Sequence, residues 1–305
     1  MIFFVISGML ITTLLLREES EHGRICLRGF YLRRICRILP LYYLALLIFS
    51  LAVAAGLGEH PGDYADRLVH FVTFTNEYAS PGTFGHSWSL GIEEKFYLTW
   101  PLIGFIVPVL CRRRASVLAV MCLMTTTVGL VHPSEPLSFY SPVLVGCLLG
   151  LALHNEQTFR LVRRAALPGL AISLATCAGI FVLLLSTPGR TSVDVIFGIS
   201  AAVALPGLLL GPSWLSGWLR ASPMLFVGRR SYAIYLFHPL VGSLLALGMS
   251  RTDGLWPAAY LTIMFLATLA LADVLYRIVE RPMIRFGHRV TKTAMFDPEL
   301  QGIGS

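Results

Sequence analysis

A chain of 305 residues that is 55% hydrophobic and only 13% charged, with mean hydropathy +0.71, is not an ordinary soluble domain. In such a domain about a quarter of the residues carry charge. The formal net charge of +7 raises nucleic acid as a partner, but the basic residues stand at the ends of apolar runs, which argues for a membrane and against nucleic acid.

Taken in chain order, the apolar runs cover residues 1–16, 38–57, 94–111, 115–131, 138–154, 166–186, 193–210, 224–249 and 256–277. A helix needs about 20 mainly apolar residues to cross a bilayer, so these runs predict nine spans. The expected fold is all-α: a polytopic integral membrane helical bundle forming one domain over residues 1–292, followed by a polar tail over 293–305. Twenty of the 24 Lys and Arg residues fall in alternate loops, and only Arg67, Lys95, Arg190 and Arg251 fall in the others. Short cytoplasmic loops carry the Lys/Arg excess. The asymmetry therefore predicts a cytoplasmic (inner) membrane protein with a cytoplasmic C-terminus and an outward-facing 58–85 loop. Met1 begins inside an apolar run, with no charged leader and no small-residue cleavage site, so the start is not a signal peptide. An outside N-terminus in mid-run predicts a further span upstream. The six cysteines form no CxxC, so neither a disulfide framework nor a metal site is implied.

Four segments carry chemistry. His86-Ser87-Trp88-Ser89-Leu90-Gly91-Ile92-Glu93-Glu94 stands at the mouth of an apolar run. Charge at mid-bilayer costs roughly 2.5–3.5 kcal/mol, so such carboxylates face a polar cavity or a partner. The competing reading is an interfacial cluster, with Trp88, Tyr97 and Trp100 as an aromatic belt. Helical spacing places His86, Ser89 and Glu93 on one face, where a His–carboxylate pair orients a base or a hydroxyl, or closes a structural cluster. Glu94 is expected to be solvated. Arg33-Arg34-Ile35-Cys36-Arg37 precedes Pro40 and a span, and Arg34 and Arg37 are helical neighbours. Guanidinium forks grip phosphate, either of a ligand or of lipid headgroups. His238, before Pro239, reads as a satisfied polar group. Glu280-Arg281 reads as a local ion pair with Pro282 ending the helix, and Asp273 as an interior polar contact.

Five motifs in order resemble one family. Phe3-Phe4-Val5-Ile6-Ser7-Gly8-Met9-Leu10-Ile11-Thr12, Phe30-Tyr31-Leu32-Arg33-Arg34-Ile35-Cys36-Arg37-Ile38-Leu39-Pro40, the segment His86 to Pro101, Gly228 to His238 and Val279-Glu280-Arg281-Pro282 are together similar to the acyltransferase 3 family, of the O-antigen and exopolysaccharide O-acetylase type. The resemblance covers residues 1–289 and implies a ten-span fold with both termini cytoplasmic. It implies transfer of an acyl group, acetyl first of all, from acyl-coenzyme A as co-substrate, with no bound cofactor. The acceptor implied is a hydroxyl on a glycan or lipid-linked saccharide, with membrane lipids around the protein. Arg33, Arg34 and Arg37 inherit the role of a clamp on the donor's phosphates, and the family's SxxxE pattern maps onto Ser89 and Glu93. The family's first span, with its Arg and catalytic His, precedes the FFVxSG run and has no counterpart in this sequence, so His86 is the remaining candidate base. A transporter of acylated glycans and a catalytically inactive homologue stand as alternatives.

Overall fold

A computed structural model describes residues 1–80, 82–132, 136–186, 193–248 and 256–295, and among these there is no strand. The helices, in chain order, are α1 (Ile2–His22), α2 (Leu27–Ala54), α3 (Pro61–Val72), α4 (Trp88–Phe105), α5 (Pro108–Cys111), α6 (Arg114–Val131), α7 (Ser141–His154), α8 (Glu156–Ser186), α9 (Val193–Leu210), α10 (Ser213–Leu219), α11 (Ser222–Gly248), α12 (Trp256–Leu275) and α13 (Arg281–Met295). Among the described residues, each of the nine apolar runs lies mostly on helix. Five helices among the described residues are long and apolar enough to cross a membrane: Leu27–Ala54, Arg114–Val131, Pro136–His154, Glu156–Gly179 and Ala258–Thr291. That is a multi-pass membrane protein. Two of the other helices carry clustered charge: α1 holds Arg17, Glu18 and Glu19, and α4 holds Glu93, Glu94 and Lys95. Arg190, Arg251 and most of the expected 293–305 tail lie outside the described residues; residues 293–295 continue α13.

The chain forms two compact units. The first holds residues 1–25 and 89–220. Here α1 packs on α7 and α9, α6 packs on α7, and α8 packs on α9. Missing side chains set the α1–α7 crossing. A Cβ at Gly8 would strike the carbonyl oxygen of Val143, and one at Gly146 would strike that of Val5. Four residues on, Gly150 sits against Met9 and Thr12. Small residues at this spacing let helix backbones touch, which is how helices gain dispersion energy where lipid supplies no hydrophobic drive. Phe4, Val5, Ile11 and Leu15 on α1 and Val143 and Cys147 on α7 are all buried, and Val5 packs with Ala201, Ala202 and Leu205 of α9. The indole N–H of Trp100 donates to the buried Thr12 hydroxyl at 2.9 Å. The Arg114 guanidinium donates two bonds to Glu19, at 2.7 and 2.6 Å, and lies 4.2 Å from the centre of the Phe105 ring. A bidentate fork of this kind fixes direction as well as distance.

The second unit holds residues 26–88 and 221–305. In it α2 packs on α13, α11 and α3, and α11 packs on α12. The loop before α4 winds over α2 through aromatic rings. Tyr42 stacks on Phe74 at 4.2 Å, donates to the Phe71 carbonyl at 2.8 Å and accepts from the Asn76 amide at 3.1 Å. Phe84 adopts a left-handed φ of 64°, which costs a non-glycine residue of order 1–3 kcal/mol. Its ring is 1% exposed and packs against Tyr42, Phe49 and Phe71. That packing holds the strained turn immediately before His86.

Pro282 does not end a helix. A π-turn, Tyr276–Glu280, joins α12 to α13 without leaving helical geometry. The wider turn absorbs the proline, which has no N–H to contribute. Nor is Glu280 half of a local surface pair with Arg281. It is buried, 3% exposed, and the groups acting on its carboxylate are the Arg37 and Arg230 guanidinium ions and the backbone of Ala233.

Candidate active site

In the first unit, Glu93 lies on the second turn of α4, half-buried. The Ser7 hydroxyl, from α1, donates to its Oε1 at 3.1 Å. The Tyr97 hydroxyl, one turn further along α4, is 3.0 Å from Glu93 Oε2 and 3.0 Å from Ser7 Oγ. With a single hydrogen, Tyr97 donates to one of the two at a time. Glu93 is thus held by two neutral donors, one local and one contributed by a segment 86 residues away. Ser89 precedes it by one turn of the same helix, also half-buried. Glu94, expected to be solvated, is half-buried, and its Oε1 is out of contact with solvent.

The expected common face of His86, Ser89 and Glu93 does not form. His86 belongs to a 3-10 turn, Gly85–Ser87, that ends before α4 begins at Trp88. Its ring sits in the second unit, 5.7 Å from Phe49, 5.4 Å from Phe84, 5.6 Å from Tyr235 and 5.7 Å from His238. Nε2 faces the Leu236 carbonyl at 3.1 Å. A carbonyl only accepts, so Nε2 carries the hydrogen and Nδ1 is the ring's acceptor. The Tyr235 hydroxyl donates to the His86 carbonyl. Burial, with the neighbouring His238 adding to it and the Leu236 carbonyl opposing it, lowers the His86 pKa to about 4. The imidazole is therefore neutral at physiological pH. His238 is a satisfied polar group, as expected, with Nδ1 facing the Tyr235 carbonyl at 2.9 Å.

Arg33, Arg34 and Arg37 all lie on the early turns of α2, which begins at Leu27 and so takes the basic segment into the helix. Arg33 and Arg34 are half-buried, and Arg37 is exposed. The Arg34 guanidinium sits 5.9 Å from the centre of the Phe30 ring. Further along the same unit, Arg230 is 7% exposed and donates from Nε to Asp273 Oδ1 at 2.7 Å and from Nη1 to the Phe226 carbonyl at 2.9 Å. Arg277 holds the other Asp273 oxygen at 2.8 Å. Asp273 makes the polar contacts expected of it, half-buried between the Arg230 and Arg277 guanidinium ions rather than deep in the interior.

Sequence reasoning singled out Glu93 but missed both hydroxyls on it. Tyr97 carried a signal, since i and i+4 are neighbours on a helix. Ser7 carried none beyond its place in a motif, because a contact across 86 residues leaves no local trace.

Comparison with known proteins agrees with these motifs. A family model for an acyltransferase domain matches residues 1–277. YrhL of Bacillus subtilis (strain 168) is 27% identical, over 97% of this chain and 51% of its own length. Peptidoglycan O-acetyltransferase OatA of Listeria monocytogenes is 26% identical, over 94% of this chain and 51% of its own length. O-acetyltransferase OatA of Staphylococcus aureus (strain NCTC 8325) is 26% identical, over 98% of this chain and 54% of its own length. The chain therefore spans about half the length of these curated relatives. No solved structure matches. With the model matched over most of its length and the five motifs in order, the chain belongs to the acyltransferase 3 family.

Proposed function

We propose that this protein is a membrane O-acyltransferase that moves an acyl group, acetyl in the first instance, from acyl-coenzyme A to a hydroxyl of a glycan. The names of the relatives point to peptidoglycan as the first acceptor to test. The observation that carries the reading is Glu93 pinned between Ser7 and Tyr97, two family motifs meeting on one carboxylate.

In the reaction the acceptor oxygen attacks the thioester carbonyl, the carbon–sulfur bond breaks, and coenzyme A leaves as the thiol with the hydroxyl's proton. The step needs a group to take that proton and donors to steady the oxyanion. Glu93, with Ser89 beside it on α4, orients the acceptor hydroxyl. His86, held neutral, keeps the ring nitrogen that a proton acceptor requires. Arg33, Arg34 and Arg37 hold the donor's phosphates, the task for which guanidinium forks are suited. The charge asymmetry of the loops supports a cytoplasmic-membrane location with the donor end and the C-terminus inside.

The test is to incubate the full chain in lipid nanodiscs with radiolabelled acetyl-coenzyme A and peptidoglycan fragments. Label should pass to the glycan as an alkali-labile ester. Intact thioester after long incubation, with every glycan unlabelled, would overturn the reading. Acetyl groups crossing sealed vesicles without ester formation would replace it with transport. Orientation is checked by cysteine labelling in a background without native cysteines. A Cys at Gly62 should label in intact cells, and one at Arg113 only after lysis.

A further inference from the structure

Glu280 is the feature that the proposed reaction does not use and that ordinary packing does not explain. It is 3% exposed, and its Oε1 is buried with no hydrogen-bond partner. A buried, unmatched carboxylate oxygen is costly, and native structures keep few of them. The backbone around it is also unusual. Glu280 is the last residue of the π-turn, a rare geometry that is frequent at functional sites. An ordinary α-turn would rotate the residues beyond it to a different face of the helix. The π-turn packs against α2, the helix that carries Arg37, and the Arg37 and Arg230 guanidinium ions act on this buried carboxylate.

The two arginines differ. Arg230 is spent: Asp273, the Phe226 carbonyl and the faces of Phe226 and Tyr276 take up its guanidinium. Arg37 is exposed and, among the described residues, makes no hydrogen bond or ion pair. It comes from the basic segment of α2, whereas Glu280 comes from the Val-Glu-Arg-Pro motif, far away in sequence. The geometry thus sets a buried carboxylate beside the one exposed arginine of the Arg33-Arg34-Arg37 set.

We propose that Glu280 is the built-in counter-charge of the donor clamp: a buried carboxylate that competes with the donor's phosphates for Arg37. This rests on the reading of Arg33, Arg34 and Arg37 as that clamp. A clamp of unopposed arginines holds spent coenzyme A as tightly as the donor, since both carry the same phosphates. Binding both equally tightly does nothing for turnover. A resident carboxylate weakens both by the same factor and speeds release of the product.

The experiment is equilibrium binding of acetyl-coenzyme A, and separately of free coenzyme A, to the full chain in lipid nanodiscs. Glu280→Gln keeps the shape and removes the charge. It should tighten both ligands about tenfold, the size of one charge–charge interaction at an effective interior dielectric. Structural damage alone does not raise affinity, so the sign is diagnostic. Arg37→Ala should weaken binding and erase the gain from Glu280→Gln in the double variant, because the two groups act through each other. If Glu280→Gln fails to fold, Glu280→Asp draws the charge back by one methylene and should tighten binding by a smaller factor, about two- to threefold. Unchanged or weaker binding in a folded Glu280 variant, with Arg37→Ala still weakening it, overturns the counter-charge and leaves the clamp standing. Binding that Arg37→Ala leaves unchanged, or no binding by the unaltered chain, overturns both.

Discussion

The two units treat a carboxylate in opposite ways. In the first, Glu93 is held by neutral hydroxyls, Ser7 on one oxygen and Tyr97 on the other. In the second, Glu280 is faced by two guanidinium ions, and one of its oxygens has no hydrogen bond. Neutral donors fix where a carboxylate points without cancelling its charge. Cations act over distance and leave direction loosely set, because Coulomb energy falls only as the inverse of separation. The first arrangement suits a group that must meet a substrate at a defined angle, and the second suits one that sets a local potential. The seams differ in the same spirit. The first unit is closed by helix backbones touching at Gly8 and Gly146, the second by stacked rings around Tyr42 and by the Arg230–Asp273–Arg277 network.

The sharpest way to break this contrast is Glu93→Gln. The amide keeps the shape and loses the charge, so acyl transfer should fall by about 10²- to 10⁴-fold while the protein stays inserted. Initial rates with labelled acetyl-coenzyme A check it. A larger loss in Glu94→Gln would move the assignment to the neighbouring carboxylate.

The seam of the first unit is tested by Gly8→Val. Its added carbons have the Val143 and Cys147 backbones to meet, which cannot swing aside as side chains do, so the chain should lose roughly 3 kcal/mol or more and elute poorly from detergent. Gly228→Ala, in the second unit, meets nothing within 4 Å and should leave the thermal midpoint nearly unchanged. Equal behaviour of the two variants would refute the close-contact account.

Acid should strike the second unit first. The folded-state pKa of His86 is lowered from 6.5 to about 4. Above 6.5 the imidazole is neutral whether folded or unfolded and contributes nothing to the pH dependence. As pH falls from 6.5 towards 4, only the unfolded chain takes up the proton, so stability drops by up to about 3 kcal/mol across that window. The other imidazole against the ring is His238, so the measurement compares thermal midpoints of the unaltered chain, His86→Phe and His238→Phe between pH 7 and pH 4. The acid limb should flatten most in His86→Phe.

The smallest effects belong to the hydroxyls on Glu93. Tyr97→Phe and Ser7→Ala each remove one neutral donor to a charged acceptor and should cut the transfer rate about tenfold. Because both act on one carboxylate, the double variant should lose less than the product of the single effects. Strict multiplicativity would show that they do not share it.

Composition and the spacing of apolar runs were enough to establish an all-helical membrane protein, because hydropathy is a sum over neighbours in sequence and a helix satisfies its own backbone. The same local logic identified Glu93 as a charge too costly to leave without a purpose, and put Arg34 and Arg37 on one helical face. It failed wherever the partner was remote. His86 and Glu93 are seven residues apart, yet a 3-10 turn and a left-handed Phe84 send the imidazole to His238 and Tyr235. Pro282 looked like a helix end, because the rule that proline breaks helices knows nothing of a π-turn that makes room for it. Glu280 looked like a surface partner for Arg281 until packing buried it near Arg37. Ser7 reached Glu93 from another helix, 86 residues away in sequence. Helix and membrane were legible in the sequence because their energies are local. The partners of each charge were decided by tertiary structure, because a buried charge takes whichever group the fold brings within a few ångströms of it.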